Sequence, residues 1–308
     1  MTRSLQPSLI AIDWGTTSAR AYAVDASGEV AGTRSAPLGV QQLRDGDFAS
    51  ALRELLGDWS AFDVPRIASG MIGSRQGWVE APYVECPASL DALAQRIAWT
   101  PQRELAIVPG LICHDAAGIP DVMRGEETQL AGSVAAGESG VCVLPGTHSK
   151  WVVVEHGRVV AFQTHMTGEL YAVLLAHSIL GRLAADAHAG DTHAFAQGVE
   201  RGLGGGGLGH VAFGARTLAL TGAIDGSEVA DWLSGVLIGH EIAAAREWLA
   251  ARGVAATEVR VIGSDALVVR YAAALAHAGV AAQSGAADAA VRGLVRIART
   301  LDRLQVAQ

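Results

Sequence analysis

Residues 12–20, IDWGTTSAR, and residues 143–151, VLPGTHSKW, carry one short plan twice in a single chain. Each sets an apolar run before a Gly-Thr turn and a second apolar run after it, so that Gly15-Thr16 lies over Gly146-Thr147 and Ser18 over Ser149. The likeness extends outward. Residues 8–36 contain the runs LIAI, ARAYAV and EVAGTR, parted by the turns DWGTTS and DASG, and residues 140–162 repeat the order of apolar run, turn, apolar run, polar turn, apolar run. Both stretches read as strand meanders. A pattern that restarts within one chain predicts two half-molecules of like design.

The intervening sequence supplies the rest of each half. DFASALRELLGDW (47–59) spaces Phe48, Leu52, Leu55 and Leu56 at helical intervals, which predicts one helix over the first sheet. A strand RIASG (66–70), a glycine-punctuated loop, a helix from Ser89 and a strand ELAIVPGL (104–111) follow, and strands alternating with helices give an α/β class. The remainder is mostly helical, with one strand, EVRVIG (258–263), and a glycine run, RGLGGGGLGH (201–210), of flexible-linker composition. Val291, Leu294, Val295, Ala298 and Leu301 form one stripe on the last helix, so it is a packing helix. The expected division is 1–115 and 116–308, with that last helix free to pack back on the N-terminal half.

Composition excludes several function classes. The chain has 308 residues, half of them hydrophobic and 18% charged, which suits a folded protein of two domains. A net charge of -8 is the wrong sign for a surface that tracks nucleic acid or an anionic membrane. Cys86, Cys113 and Cys142 are scattered and odd in number, so neither disulfides nor a thiolate metal site is indicated. The N-terminus lacks the pattern of a signal peptide and no apolar run is long enough for a membrane span, so a cytoplasmic protein is expected.

A Gly-Thr turn between strands leaves backbone N–H groups unpaired at its tip, and such groups grip phosphate oxygens. Two of them facing each other would clamp a triphosphate. Asp13 stands where a hydrated Mg²⁺ would be held, since Mg²⁺ takes one or two carboxylates with water and phosphate oxygens. The plain alternative is a hairpin whose Asp13 caps its own turn. Lys150 is the single lysine among 23 basic residues and falls just beyond the second turn, either as a point charge for phosphate or as a solvated lysine at a strand start.

IDWGTTSAR and VLPGTHSKW resemble the two phosphate motifs of the actin, sugar kinase and heat-shock chaperone ATPase superfamily. Together with SGMIGSRQGWVEAPYVECPA (69–88), MRGEETQLAG (123–132), MTGELYAVL (166–174) and DWLSGVLIGHEI (231–242), they resemble 2-dehydro-3-deoxygalactonokinases across nearly the whole chain. The resemblance implies two duplicated RNase H-like (actin-like ATPase) domains, a mixed sheet in each and a cleft between them. It also implies transfer of the ATP γ-phosphoryl group to the 6-hydroxyl of 2-dehydro-3-deoxy-D-galactonate, with Mg²⁺, in galactonate breakdown.

By motif, Asp13 would face the metal, and Gly15, Thr16 and Thr17 would contact phosphate. Arg20 would either pair with a carboxylate or approach phosphate. Gly146, Thr147, His148, Ser149 and Lys150 would form the second phosphate turn, with His148 a donor or simply a neutral turn histidine. Gly263, Ser264 and Asp265 resemble an adenosine motif, although Ser264 and Asp265 also read as helix caps. The catalytic carboxylate departs from the pattern of related kinases, because Gly125 is followed by both Glu126 and Glu127; Glu126 is favoured slightly, and one of the pair suits a structural place in the first helical turn. For the sugar acid, the loop of Gly70, Met71, Gly73, Ser74, Arg75, Gln76 and Trp78 follows a strand, where α/β ligands collect. Arg75 is the first candidate for its carboxylate and Arg124 the second, while Met71 and Trp78 either line the pocket or belong to the core. Other carbohydrate kinases, for N-acetylhexosamines or other sugar acids, and an ATP-driven regulator of the same fold are the competing functions. A homodimer is compatible with the sequence.

Overall fold

The structure is a computed structural model in which residues 5–43, 46–184 and 192–306 are described. The chain groups into two compact units, the first comprising Met1–Ser139, Val154–Phe162 and Asp288–Gln308, the second Gly140–Val153 and Gln163–Ala287.

In the first unit, β1 (Leu9–Trp14), β2 (Ala19–Val24) and β3 (Val30–Ala36) form the expected antiparallel meander, and β4 (Arg66–Gly70) runs parallel along the free side of β1. Ile10, Ile12 and Trp14 are wholly buried, as befits a central strand covered on both faces. Helix α1 (Phe48–Leu56) is capped by Asp47, whose carboxylate accepts from Ser50 N, and it buries Phe48, Leu52, Leu55 and Leu56 in the cluster that β1 and β2 help to form. The unit continues through β5 (Tyr83–Glu85), α2 (Leu90–Gln95), β6 (Ala98–Trp99), β7 (Ala106–Ile107), β8 (Gly110–His114), β9 (Pro120–Met123) and α3 (Glu126–Ser133). The main sheet has the order β3-β2-β1-β4-β7-β6, and a smaller one the order β5-β8-β9.

The second sheet is built from β10 (Gly140–Leu144), β11 (Ser149–Glu155), β12 (Arg158–His165), β13 (Glu258–Val261) and β14 (Ala281–Ser284) in the order β12-β11-β10-β13-β14. That is the order of the first five strands of the main sheet, again with the fourth strand parallel to the first. The duplication read in the sequence is therefore a duplication of topology. Between β12 and β13 come α4 (Thr167–His177), α5 (Thr192–Leu203), α6 (Leu208–Ala212), α7 (Gly214–Leu220) and the long α8 (Val229–Ala251); α9 (Asp265–His277) joins β13 to β14. Residues 204–207 of the glycine run form the loop between α5 and α6, and its two ends lie within those helices.

Helix α10 (Ala289–Val306) belongs to the first unit, where it packs on α3, α2 and β1. Residues 116–139, which the sequence reading assigns to the second domain, also group with the first unit. The reason is pairing: β9 is the antiparallel partner of β8, and α3 lies against α10. Two glycines permit that helix contact. A Cβ on Gly132 would stand 1.9 Å from Ala289 O, and one on Gly293 would stand 1.8 Å from Thr128 O.

Gly293→Ala is expected to cost about 1–3 kcal/mol by forcing α3 and α10 apart. Gly140→Ala, at a position with nothing within 4 Å of an added Cβ, is the control. Chemical denaturation of both variants checks the contrast, and equal midpoints would show that the contact relaxes freely.

Candidate active site

The strand that carries Asp13 ends in the turn Gly15–Ser18, closed by Gly15 N donating to Ser18 O at 2.9 Å. Two more of its carbonyls are taken: Val40 N donates to Gly15 O at 3.1 Å and Gln41 N to Thr16 O at 3.0 Å. Among the described residues no acceptor faces the N–H groups of Thr16, Thr17 or Ser18. A turn with most of its carbonyls satisfied and its amides bare is a concentration of positive partial charge, suited to an anion.

Beside it, β4 brings Ser69 into register with Asp13 and Gly70 with Trp14. Gly70 has φ +92°, and a Cβ there would press to 2.7 Å from Trp14 O and 3.7 Å from Asp13 Oδ1. Gly125, at φ +108°, ends the approach of α3, and its own Cβ would meet Gly70 Cα at 3.4 Å. These two glycines let backbone close around the Asp13 carboxylate, which burial raises above its ordinary pKa; Arg20 draws it down and Glu126 pushes it further up. Arg20 stands opposite Asp13 in the β1–β2 ladder and is held in its charged form first by the Tyr22 hydroxyl, with Asp13 adding to the effect. Ser69 Oγ is buried with no hydrogen-bond partner, a donor that sequence reasoning missed because a serine at a strand end carries no signal of its own.

The two glutamates separate clearly. Glu127 is 1% exposed, and its carboxyl accepts from Gly125 N at 2.7 and 2.9 Å. Burial, then the neighbouring Glu126, pushes it up to about 8 despite that hydrogen bond. Glu126 is only half-buried, accepts from Arg124 N at 3.0 Å, and is the carboxylate whose charge Asp13 feels.

The loop after β4 is also sorted by the packing. Ile72 and Gly73 are buried; Trp78 stacks on Phe48 with ring centroids 6.2 Å apart, and Met71 packs against the same cluster. The side chain of Arg75 is 88% exposed and lies 3.6 Å from Glu80. Arg124 is held instead: its guanidinium lies 4.5 Å from the Tyr83 ring centroid, Nη2 donates to Ala81 O at 2.8 Å, and Nε and Nη1 are buried without partners. A Cβ on Gly73 would sit 3.0 Å from Arg124 Nη1, so this guanidinium borders the loop. Ser74 Oγ is likewise buried without a partner.

The turn in the second unit repeats the same backbone economy. Glu169 N donates to Thr147 O at 3.0 Å and Lys150 Nζ donates to His148 O at 3.1 Å, while the N–H groups of Gly146, Thr147 and His148 face no acceptor among the described residues. Gly168 lets the first turn of α4 approach so closely that a Cβ would stand 2.4 Å from Gly146 O. His148 pairs through Nε2 with Glu169. Thr147 and His148 are exposed, but Ser149 and Lys150, expected at the phosphates, are buried and turn inward.

Ser149 Oγ shares a hydrogen bond of 2.8 Å with Tyr271 OH. Tyr271 OH donates to Glu241 Oε2 at 2.8 Å, and Trp151 Nε1 donates to Glu241 Oε1 at 2.8 Å. Burial raises Glu241, and its donors, Thr167 first, work against that rise. This buried knot fixes the base of the turn, and nothing local in the sequence marks Glu241 as its partner. Gly263 lies 3.6 Å, measured from an added Cβ, from Pro145, and the Ser264 side chain makes no cap hydrogen bond with α9.

A sequence profile described as 2-keto-3-deoxy-galactonokinase matches residues 13–297. The chain belongs to the 2-keto-3-deoxy-galactonokinase family. It is 35% identical over 289 residues to the 2-dehydro-3-deoxygalactonokinase of Escherichia coli K12, covering 93% of this chain and 96% of that one. It is 40% identical over 301 residues to a Rhizobium meliloti protein named as a probable 2-dehydro-3-deoxygalactonokinase, covering 94% and 96%. A crystal structure from Sinorhizobium meliloti with a provisional name of the same kind superposes with a TM-score of 0.86 at 37% identity, covering 96% of this chain and 99% of that one. At 11% identity, an activator of 2-hydroxyisocaproyl-CoA dehydratase from Clostridium difficile, solved with ADPNP, shares the fold with a TM-score of 0.50 over 97% and 96% of the two chains. This member of the kinase family is thus a phosphotransferase acting on an alcohol group, built on the actin-like ATPase fold. No helix among the described residues is long and apolar enough to cross a membrane.

Glu127 makes a stability prediction with a definite sign. The unfolded chain releases this proton near the ordinary glutamate pKa of about 4.3, whereas the folded kinase holds it up to about 8. The stabilisation is complete below the unfolded pKa and is lost as pH rises through that interval. Glu127→Gln, which keeps an acceptor for Gly125 N, is expected to match the wild type at about pH 4 and to exceed it at about pH 8 by a few kcal/mol. Parallel pH dependence of the two thermal midpoints would mean that Glu127 is already ionised in the folded protein.

Proposed function

We propose that this kinase transfers the γ-phosphoryl group of ATP to the 6-hydroxyl of 2-dehydro-3-deoxy-D-galactonate, giving ADP and the 6-phosphate, in the cytoplasm and as a step of galactonate breakdown. The observation that carries the reading is the meeting of Asp13 and Glu126, from two separate motifs, around glycine backbone beside a turn of bare amides. The relatives' names supply the acceptor, and their identity over nearly the whole chain supports it.

Glu126 is the proposed base. It is the accessible member of the pair, while Glu127 is sealed in and bonded to its own helix end. Glu126 takes the proton of the attacking hydroxyl and holds that oxygen in line, and positioning of this kind supplies much of the rate in phosphoryl transfer. The amides of Thr16 and Thr17, and separately those of Gly146, Thr147 and His148, hold phosphate oxygens. Gly263, Ser264 and Asp265 approach the nucleoside. The residues fit Mg²⁺ in one respect: the Asp13 carboxylate is raised above its ordinary pKa first by burial and further by the charge of Glu126, and a hard divalent cation beside it relieves that cost. When bound through Asp13 and water, Mg²⁺ supplies charge neutralisation at the phosphoryl oxygens. Arg124, with two unmet donors beside Gly73, receives the sugar-acid carboxylate more readily than the solvent-facing Arg75.

Coupled ADP release over a panel of sugars and sugar acids tests the acceptor; strong stimulation confined to 2-dehydro-3-deoxy-galactonate is expected, and slow hydrolysis indifferent to the panel would favour a regulator. In the same assay Glu126→Gln is expected to lower kcat by about 100-fold or more with ATP binding retained. Near-normal turnover would move the role elsewhere. Arg124→Ala is expected to raise the KM for the sugar acid by about tenfold or more, and Arg75→Ala to change it by less than about threefold; the reverse order would restore Arg75 as the carboxylate partner.

A further inference from the structure

The first unit holds a cavity of about 720 Å³ whose lining includes none of the residues proposed above for the transfer reaction. It lies among α2, α3, α10 and the turn between β11 and β12, and its size falls within the usual range for small-ligand sites. Leu93, Leu111, Leu130, Val134 and Val154 give it apolar walls. Four arginines, Arg158, Arg296, Arg299 and Arg303, line it as well.

The state of those arginines is the informative feature. Arg296 donates to Ala131 O and Val134 O, Arg299 to Ser27 O, Arg158 to Pro87 O and Arg303 to Thr300 Oγ1. Every one of these acceptors is neutral, and none of the four guanidiniums forms an ion pair with a described carboxylate. The acidic groups in the wall are Asp91, Asp302 and Glu127, the last held neutral by its burial at ordinary pH. In a chain of net charge -8, this cavity therefore has an excess of positive charge. A guanidinium keeps donors for a planar anion after one carbonyl contact, and the pairing gains from a partly dry setting.

We propose that this cavity is a second ligand site, for a small organic anion with an apolar body, an acyl or aryl carboxylate or phosphate monoester. Arg158 and Arg303 hold the anionic head, and Leu93, Leu111, Leu130 and Val134 receive the body. The polar sugar acid does not suit it, since the apolar walls would leave its hydroxyls without partners. Glu127 joins the two sites along the chain: it lines the cavity, whereas Glu126, next to it in the first turn of α3, lies near enough to Asp13 for its charge to act there. An occupant thus rests against the helix that carries the proposed base.

The test is a fluorescence titration of the full chain with 8-anilinonaphthalene-1-sulfonate, an anion with an aromatic body, followed by displacement with decanoate or 1-decanol. Saturable binding at one site per chain is expected, displaced by decanoate at least about tenfold more effectively than by the neutral alcohol. The exposed double variant Arg158→Ala/Arg303→Ala should weaken binding by about tenfold or more without moving the thermal midpoint. Ala135→Trp, a bulky side chain at the exposed rim, should reduce it similarly. Absence of saturable binding, equal displacement by acid and alcohol, or affinity unchanged in both variants would overturn the proposal. Because the readout is binding to the enzyme without nucleotide or sugar, its failure and the failure of the kinase reading are separate results.

Discussion

Hydrogen-bond accounting at two short turns governs the chemistry this fold can offer. A buried backbone group must find a partner, and in each turn two carbonyls find theirs within the same unit: Gly15 O and Thr16 O from the segment after β3, Thr147 O from α4, and His148 O from the ammonium of Lys150. The amides are left over. Amides in that state can donate to an anion without first breaking a hydrogen bond, which is what the proposed phosphate contacts require. Lys150 and Ser149 are buried behind the turn, one donating to a carbonyl and the other bonded to the buried Tyr271–Glu241 knot, so both help to hold the turn's shape.

A second constraint is closeness. The Asp13 carboxylate, Gly70 and Gly125 occupy a space in which one methyl group would collide with backbone, and α3 reaches it because Gly132 and Gly293 let α10 hold α3 against the sheet. The result is one carboxylate, Asp13, whose proton affinity is raised by burial and by the nearby Glu126, and another, Glu127, folded back on its helix and pushed up to about 8 by burial. Burying carboxyl groups in this way costs stability in the unliganded protein, as charged sites often do.

Much of this was legible in the sequence, though unevenly. The strand meanders, the helix over the first sheet and the doubled turn followed from apolar spacing and from Gly-Thr placement, since local backbone geometry follows local chemistry. The choice between Arg75 and Arg124 did not, because both are arginines near loops; what separates them is that one side chain is 88% exposed and the other is pressed against Tyr83. The same holds for Glu126 and Glu127, adjacent residues whose differing burial depends on which side of α3 meets the core. The division near residue 115 shifted because strand pairing joined β9 to β8 across a turn that looked, in sequence, like a boundary.

The sequence by itself determined the repeated strand-turn-strand unit, the acidic and single-lysine character of the chain, and the identity of the residues at each turn. These are properties of neighbours in the chain, set by periodicity and by the conformational habits of glycine, threonine and proline. Tertiary structure alone decided which carboxylate is sealed and which is accessible, which arginine keeps unmet donors, and how Ser149, Tyr271, Trp151 and Glu241 come to share one buried network. Those outcomes depend on desolvation and on contacts between residues as far apart as 122 positions, and neither quantity is written in any short stretch of sequence.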